Sequence, residues 1–514
     1  MKRITALLLA ALLLMSLGFA AGEQALPKQP RYVFFFIGDG MGSAQATAAQ
    51  YLSGTGDKAG NEKPVPASLS FTRFPVLGLM NTLDAVGLTP DSASAATSMA
   101  TGKKTLSGTI NMGFKEGGKG PEPDKDKPFM IITEYAKEAG MKIGVISSVS
   151  LDHAMPAAFY AKSAKRSAYY DIAVQGLSGQ VLDFLAGGGF LQPTGEDNGR
   201  KDVLEIAGEN GFTILNTNED IQAIGPGSGR VLAISPELRD GRRAMEYEID
   251  RLAGGAVNLS LAQMTAAGIR NLENNEKGFF MMVEGGKIDW ACHANDAATA
   301  VWDVCALADA VGEAVTFAEK HPDETLIVVT GDHETGGMRI GRAQTGSDVH
   351  MEYLLGQKLS YTAMDAILDD MASDQASYDD VMAAIQENYG LTRQAGQPLS
   401  LTAQEIASLS AAYTFGMLPG AQREGETWDA QAPLYGGYNP LSVTASHILA
   451  SKAGISFSSF SHTGISLPVY AMGVGAEQFG GSYDNTGIFS RFLSVMGLRK
   501  QPSLNIASQA LRLP

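Results

Sequence analysis

Five stretches of this chain run apolar without interruption and then stop on Gly, Asp or Glu. They are RYVFFFIGDGMG from Arg31, MKIGVISSVSLDHA from Met141, GFFMMVEGGKIDW from Gly278, TLIVVTGDHETGG from Thr325 and LPVYAMGVG from Leu467. A strand with one wet face alternates apolar and polar; continuous runs belong to strands buried on both faces. Stretches of helical periodicity separate them, as from Ala297 to Ala318. Strand and helix in alternation predict an α/β fold, a three-layer α/β/α sandwich around a large, mostly parallel central sheet. In such sheets chemistry gathers at the carboxyl ends of the strands. Asp39, His153, Glu284, Asp289, Asp332 and His333 all fall there.

The pattern changes between about Gly341 and Ile455, where long apolar strands are missing. Met364, Ile367, Leu368 and Met371 keep helical spacing, as do Val381, Ile385 and Tyr389, which Gly390 follows as a stop. Thr402 and Glu405 form a capping box ahead of Ile406 and Leu409. Residues 341–455 are therefore read as a helical insertion into the sandwich, whose first part spans 21–340 and whose closing part spans 456–514. EKHPDET and the Gly/Pro/Lys-rich stretch from Lys115 to Pro128 are expected to be surface loops.

At the amino terminus Lys2 and Arg3 precede an apolar run from Ala6 to about Leu17, and Gly18-Phe19-Ala20 offers small-residue cleavage chemistry. Residues 1–20 are read as a secretory signal peptide, so a periplasmic or secreted protein without a membrane anchor is expected. The run is short for a membrane span. Charge points away from nucleic acid and anionic membranes: 55 acidic residues face 39 basic ones in 514, a formal net charge of −16. An acidic protein can still take an anionic substrate in a metal-filled pocket. The only cysteines, Cys292 and Cys305, are too few for a disulfide framework; sequence leaves open whether they pair.

The candidate chemistry begins with LTPDSASAATSMATGKK, residues 88–104. Pro90, Asp91 and Ser92 start a helix and Gly102 stops it. An isolated Asp-Ser pair is an ordinary helix start. The sharper reading makes Ser92 a nucleophile whose product anion sits on the helix N-terminus. No histidine lies near it in sequence to remove its proton, and no G-x-S-x-G elbow is present.

Four of the seven histidines have informative neighbours. His293 follows Asp289 by four residues, a spacing that puts both on one face of a helical turn. His333 follows Asp332 in GDHETGG, His462 sits in FSHTGIS, and His153 follows Asp152. Gly38 and Gly40 leave Asp39 room to approach a metal. Singly, each motif reads equally well as a surface pair or a capped turn. Together the carboxylates and imidazoles suit zinc, with a harder metal taking oxygen alone.

FFIGDGMG, TPDSASAAT, MMVEGGKIDWACH, VVTGDHETGG and FSHTG resemble, in order, five signature blocks of the alkaline phosphatase family. The resemblance implies a phosphomonoesterase with two zinc ions. Asp289, His293 and His462 would hold the first; Asp39, Asp332 and His333 the second, which also meets Ser92. A metal rather than a histidine would then lower the serine pKa, and a phosphoserine would form. Arg166, in a Lys/Arg-rich stretch read as helical, matches the family's phosphate-binding arginine, with Lys165 as the competing assignment. Small phosphomonoesters are the implied substrates, and a homodimer is compatible with the resemblance.

Two positions depart from the family pattern. A third metal, usually magnesium, would take Asp39, Glu284 and a residue in the block that here reads His153-Ala154-Met155-Pro156. A thioether is a poor magnesium ligand, so Met155 puts magnesium in doubt. Trp290 stands where many relatives carry Lys or His. The competing functions are a sulfatase or phosphodiesterase of the same superfamily, or an exported metal- or phosphate-binding relative without catalysis. Ser92 lacks the C/S-x-P-x-R context of sulfatases, a phosphodiesterase would more often use Thr and lack an Arg166 counterpart, and intact Ser92, Arg166 and zinc ligands oppose the last.

Overall fold

All five continuous apolar runs are strands of one ten-stranded sheet. In chain order its members are β1 (Tyr32–Gly38), β2 (Val76–Asn81), β3 (Lys142–Ser147), β4 (Phe184–Gly187), β5 (Phe212–Leu215), β6 (Arg230–Ile234), β7 (Phe279–Gly285), β8 (Thr325–Gly331), β9 (Leu467–Gly473) and β10 (Gly481–Asp484). Across the sheet they lie in the order β10-β2-β9-β8-β1-β7-β3-β4-β6-β5. From β8 to β5 every pairing is parallel. β9 runs antiparallel to both β8 and β2, and β10 is parallel to β2. This computed structural model describes residues 28–55, 66–239, 241–342, 348–418 and 430–498; the expected signal peptide lies outside them.

Alternate residues of β1 face two separate cores, which is why the run carries no polar position. Phe34 and Phe36 pack with the helices Ser43–Ser53, Leu261–Leu272 and Ala297–Lys320. Val33, Phe35 and Ile37 pack with Ser92–Thr101, Ile132–Glu138, Tyr169–Ser178 and Thr486–Val495. Two helical layers thus enclose the sheet. The strands that sequence did not announce are short. β2 alternates instead of running apolar, with Leu77 and Leu79 exposed and Met80 buried.

Helices Tyr361–Ser373, Tyr378–Tyr389, Ala403–Gly416 and Pro440–Ala453 follow the sandwich's first part, each started by a side-chain cap from Ser360, Ser377, Thr402 or Asn439. Met364, Leu368, Val381, Ile385 and Leu409 share the core of Phe34 and Phe36. The chain leaves and returns through one antiparallel contact, Arg339–Ile340 with Ile455–Ser456. Buried Asp296 fastens this segment by accepting from Gln357 Nε2 at 2.8 and 2.9 Å and from Tyr361 N at 2.9 Å.

Three expectations need correction or closure. The stretch from Lys115 to Pro128 is no irregular loop: Met112–Gly117 and Gly120–Pro128 pair as an exposed antiparallel hairpin. Backbone pairing holds it, so no apolar alternation advertised it. Arg166 lies in a turn before the helix Tyr169–Ser178 and not in a helix. Cys292 and Cys305 are both free. No helix among the described residues is long and apolar enough to cross a membrane.

Candidate active site

Strand register brings the acids together. Gly38 of β1 pairs with Gly331 of β8 and Gly285 of β7, so Asp39 and Asp332 leave the sheet side by side. Glu284 lies one residue short of that line, opposite Ile37 and Ser147. The helix Lys287–His293 starts directly after β7 and sets Asp289 and His293 one turn apart. Glu334–Thr335 pairs with His462–Thr463 and draws the distant His462 in beside His333. Gly40 lets the chain close over this point. Its φ is +74°, and a Cβ there would meet Asp289 Cα at 2.8 Å and Thr335 Oγ1 at 2.9 Å.

Three groups of potential ligand atoms result. His293 Nε2 lies 3.3 Å from Asp289 Oδ1 and 3.1 Å from His462 Nε2, and His462 Nε2 lies 3.6 Å from the same carboxylate oxygen. Both imidazoles turn Nδ1 to a backbone carbonyl, Phe460 O at 2.6 Å and Pro90 O at 2.7 Å. Those carbonyls can only accept, so each Nδ1 carries the proton and each Nε2 offers a lone pair. His333 Nε2 stands 3.2 Å from Asp332 Oδ2 and 3.4 Å from Asp39 Oδ1. Asp39, His153 and Glu284 form a third group, with ligand atoms within 4.8 Å of one another.

These groups fit cations and little else. Asp39, Asp332 and Glu284 are buried, and both oxygens of Asp39, Asp332 Oδ2 and Glu284 Oε1 have no hydrogen-bond partner. Burial first, and then the neighbouring acids, push Asp39 well above the usual carboxylate range. Glu284 is pushed up to about 8 and Asp332 to about 7, mainly by burial. Burial also holds His333 well below its ordinary value. Asp289 goes the other way: burial would raise it, but His293, His333 and His462 pull it down. Converging buried carboxylate oxygens with no donor are an unfavourable arrangement that positive charge relieves.

Ser92 opens the helix Ser92–Thr101 with its Oγ 3.4 Å from His333 Nε2. The histidine missing from its sequence neighbourhood arrives from β8. Asp91 caps the helix by accepting from Ser94 N at 3.0 Å, and its other oxygen accepts from Gly108 N and Arg166 Nη1, both at 2.9 Å. Burial would raise the Asp91 pKa, but Arg166 and these backbone donors hold it low. Arg166 Nη2 also meets His153 Nε2 at 3.1 Å. Lys165 beside it is exposed. Burial, then the charges of Arg166 and Arg242, push His153 down to about 3.

Several residues here went unremarked in the sequence. Thr335 Oγ1 donates to Asp289 Oδ1 at 2.6 Å and faces His333 Nδ1 at 3.3 Å. Its lone pair accepts the Nδ1 proton, which frees His333 Nε2. Buried Glu334 accepts from Gln45 Nε2 at 2.8 Å, Met338 N at 2.9 Å, Gly337 N at 3.1 Å and the Thr463 hydroxyl, tying the His333 loop to the His462 strand. Both follow Asp332-His333 in GDHETGG, which was the available signal. Met155 is fully buried in the apolar core. Trp290 stands edge-on to His153 at 5.9 Å between ring centres. His321 and His350 lie apart from the site, and His447 pairs with Asn295 Oδ1 at 3.0 Å.

The family profile described as "Alkaline phosphatase" matches residues 30–189 and 241–498. Alkaline phosphatase 4 of Bacillus subtilis is 30% identical over 468 residues, covering 89% of this chain and 86% of that protein. The crystal structure of a cold-active alkaline phosphatase from a psychrophilic Shewanella matches with a TM-score of 0.71 and 26% identity over 90% of this chain and 99% of that one. A variant of the alkaline phosphatase from the Antarctic bacterium TAB5, with one histidine replaced by glutamate, matches with a TM-score of 0.59 and 25% identity. The match covers 92% of this chain and 100% of that one, which binds magnesium in its M3 site.

Proposed function

The chain belongs to the alkaline phosphatase family and is a phosphomonoesterase, and from that premise we propose that Ser92 is its nucleophile and that two zinc ions complete the site. The observation carrying this reading is the Ser92 Oγ at a buried helix N-terminus, 3.4 Å from an imidazole nitrogen that also faces donor-less carboxylate oxygens. Asp289, His293 and His462 would hold one ion and Asp39, Asp332 and His333 the other, since mixed imidazole and carboxylate donors suit zinc. When bound, such a pair supplies Lewis-acid charge that lowers the serine pKa and neutralises the departing alkoxide.

The chain's own residues do the rest. Arg166 takes two phosphate oxygens through its planar fork, and Asp91 fixes the fork's direction. Thr335 keeps His333 in one tautomer and Asp289 in one orientation. Ser92 Oγ gives its proton to solvent water and forms a bond to phosphorus while the ester oxygen leaves and takes a proton from solvent. The oxygen of a second water then bonds to phosphorus, the Ser92 oxygen leaves and is reprotonated, and inorganic phosphate departs. Amide N–H groups at the helix start favour the anion throughout.

Asp39, Glu284 and His153 would form a third metal site. A TAB5 variant with glutamate in place of one histidine holds magnesium in its M3 site; here His153 offers nitrogen, which magnesium disfavours. The amino-terminal pattern supports export, testable by the mass of the mature chain. The mechanism is tested by Ser92→Ala. Acid quenching with labelled phosphate should trap label on Ser92 of the wild type and none on the variant, with two zincs retained in both. Full turnover by the variant sinks the covalent route.

A further inference from the structure

Arg242 stands at the rim of this site with its charge unused. Its guanidinium carbon lies 4.8 Å from the Trp290 ring centre. Trp290 in turn stands edge-on to His153, and His153 touches Arg166. Trp290 also directly follows Asp289, so the Arg242 stack is anchored beside a residue of the histidine cluster. Arg239 and Arg251, close to Arg242 in sequence, are engaged by Glu246 and Glu248, while Arg242 and its neighbour Arg243 form no ion pair among the described residues. Arg242 is exposed. On a chain with a net charge of −16, an exposed guanidinium stacked on an aromatic ring beside an acidic site is placed to meet an anion.

We propose that Arg242, seated on Trp290, binds a second phosphate group on the leaving-group side of the substrate, so that the site favours phosphate compounds carrying two phosphoryl groups. An aromatic face fixes the guanidinium plane and leaves its N–H edge free to grip an oxyanion in two places. Arg166 already serves the transferred phosphoryl and is tied to Asp91; Arg242 has no such tie. The family profile resumes at residue 241, so Arg242 and Trp290 both lie within its match. The proposal rests on the phosphomonoesterase reading and adds substrate preference to it.

The test compares inorganic pyrophosphate, whose leaving group is phosphate, with phenyl phosphate, whose leaving group has no second phosphate. In the zinc-loaded protein, Arg242→Gln should lower the ratio of kcat/KM for pyrophosphate to that for phenyl phosphate at least tenfold, and Arg242→Lys should restore part of it. The effect should weaken as salt rises, as for an exposed charge. In parallel, calorimetry should find methylenediphosphonate bound more weakly by Arg242→Gln while inorganic phosphate binding changes less. A ratio unchanged within twofold, or equal losses on both substrates, overturns the proposal. A wild type inert toward phenyl phosphate would instead defeat the phosphomonoesterase reading, and diphosphonate binding would still decide the role of Arg242.

Discussion

Arg166 and His153 show how much of this site depends on one side chain meeting another. Replacing Arg166 by alanine would remove the proposed bidentate, charge-assisted phosphate contact and leave Asp91 with Ser94 N, Ser94 Oγ and Gly108 N as donors. Phosphate inhibition should weaken by about 2–3 kcal/mol, whereas Lys165→Ala, an exposed position, should change it little; the inhibition constant is the readout. His153 offers nitrogen where magnesium prefers oxygen. The double variant His153→Asp, Met155→Thr should gain activation on magnesium titration that the wild type lacks. Met155 itself is buried in the core, so the single change His153→Asp should carry most of the gain. Strong magnesium activation of the wild type would reassign the third site.

The helix Ser92–Thr101 is the element on which the nucleophile rides, and both its ends were legible. Pro90-Asp91 marked the start and Gly102 the stop, and Gly102 adopts the left-handed conformation at φ +67°. What the sequence withheld is that a Cβ on Gly102 would meet the Phe489 ring at 2.6 Å. Gly102→Ala should therefore cost more than the about 1 kcal/mol of a strained backbone alone. Thermal denaturation should register a lower midpoint, with Phe489→Leu in the same chain recovering part of it. The hairpin of residues 112–128 taught the reverse lesson. Its pairing uses backbone groups that no composition rule can see.

At the scale of the whole molecule, the converging acids link stability to bound metal. In the metal-free protein Asp332 titrates near 7 and Glu284 near 8, against about 4 in an unfolded chain. Their folded pKa values are raised, so the folded state holds protons that the unfolded state has lost, and stability falls as pH climbs toward those values. Above about pH 7.5 unfolded histidines are mostly neutral, so the window from about 7.5 to 9 reports the carboxylates, Glu284 above all. Chelated protein should lose melting temperature across that window, and zinc-loaded protein should lose far less. Equal slopes with and without zinc would mean that the three groups do not bind cations.

The sequence by itself determined the sandwich, because runs that carry no polar residue must be buried on both faces, and it nominated the acids and histidines because they end those runs. It also fixed the capped ends of the helices Ser92–Thr101, Tyr378–Tyr389 and Ala403–Gly416, since caps act within one turn. Only the tertiary structure decided which nominees meet. His462 joins Asp289 through a two-residue strand pair, His333 reaches Ser92 across 241 positions of chain, and Arg166 leaves its expected helix to grip Asp91. Arg242 carried no local signal and Thr335 only its place after Asp332-His333, because a stack on Trp290 or a hydroxyl shared between two ligands exists only once distant segments pack.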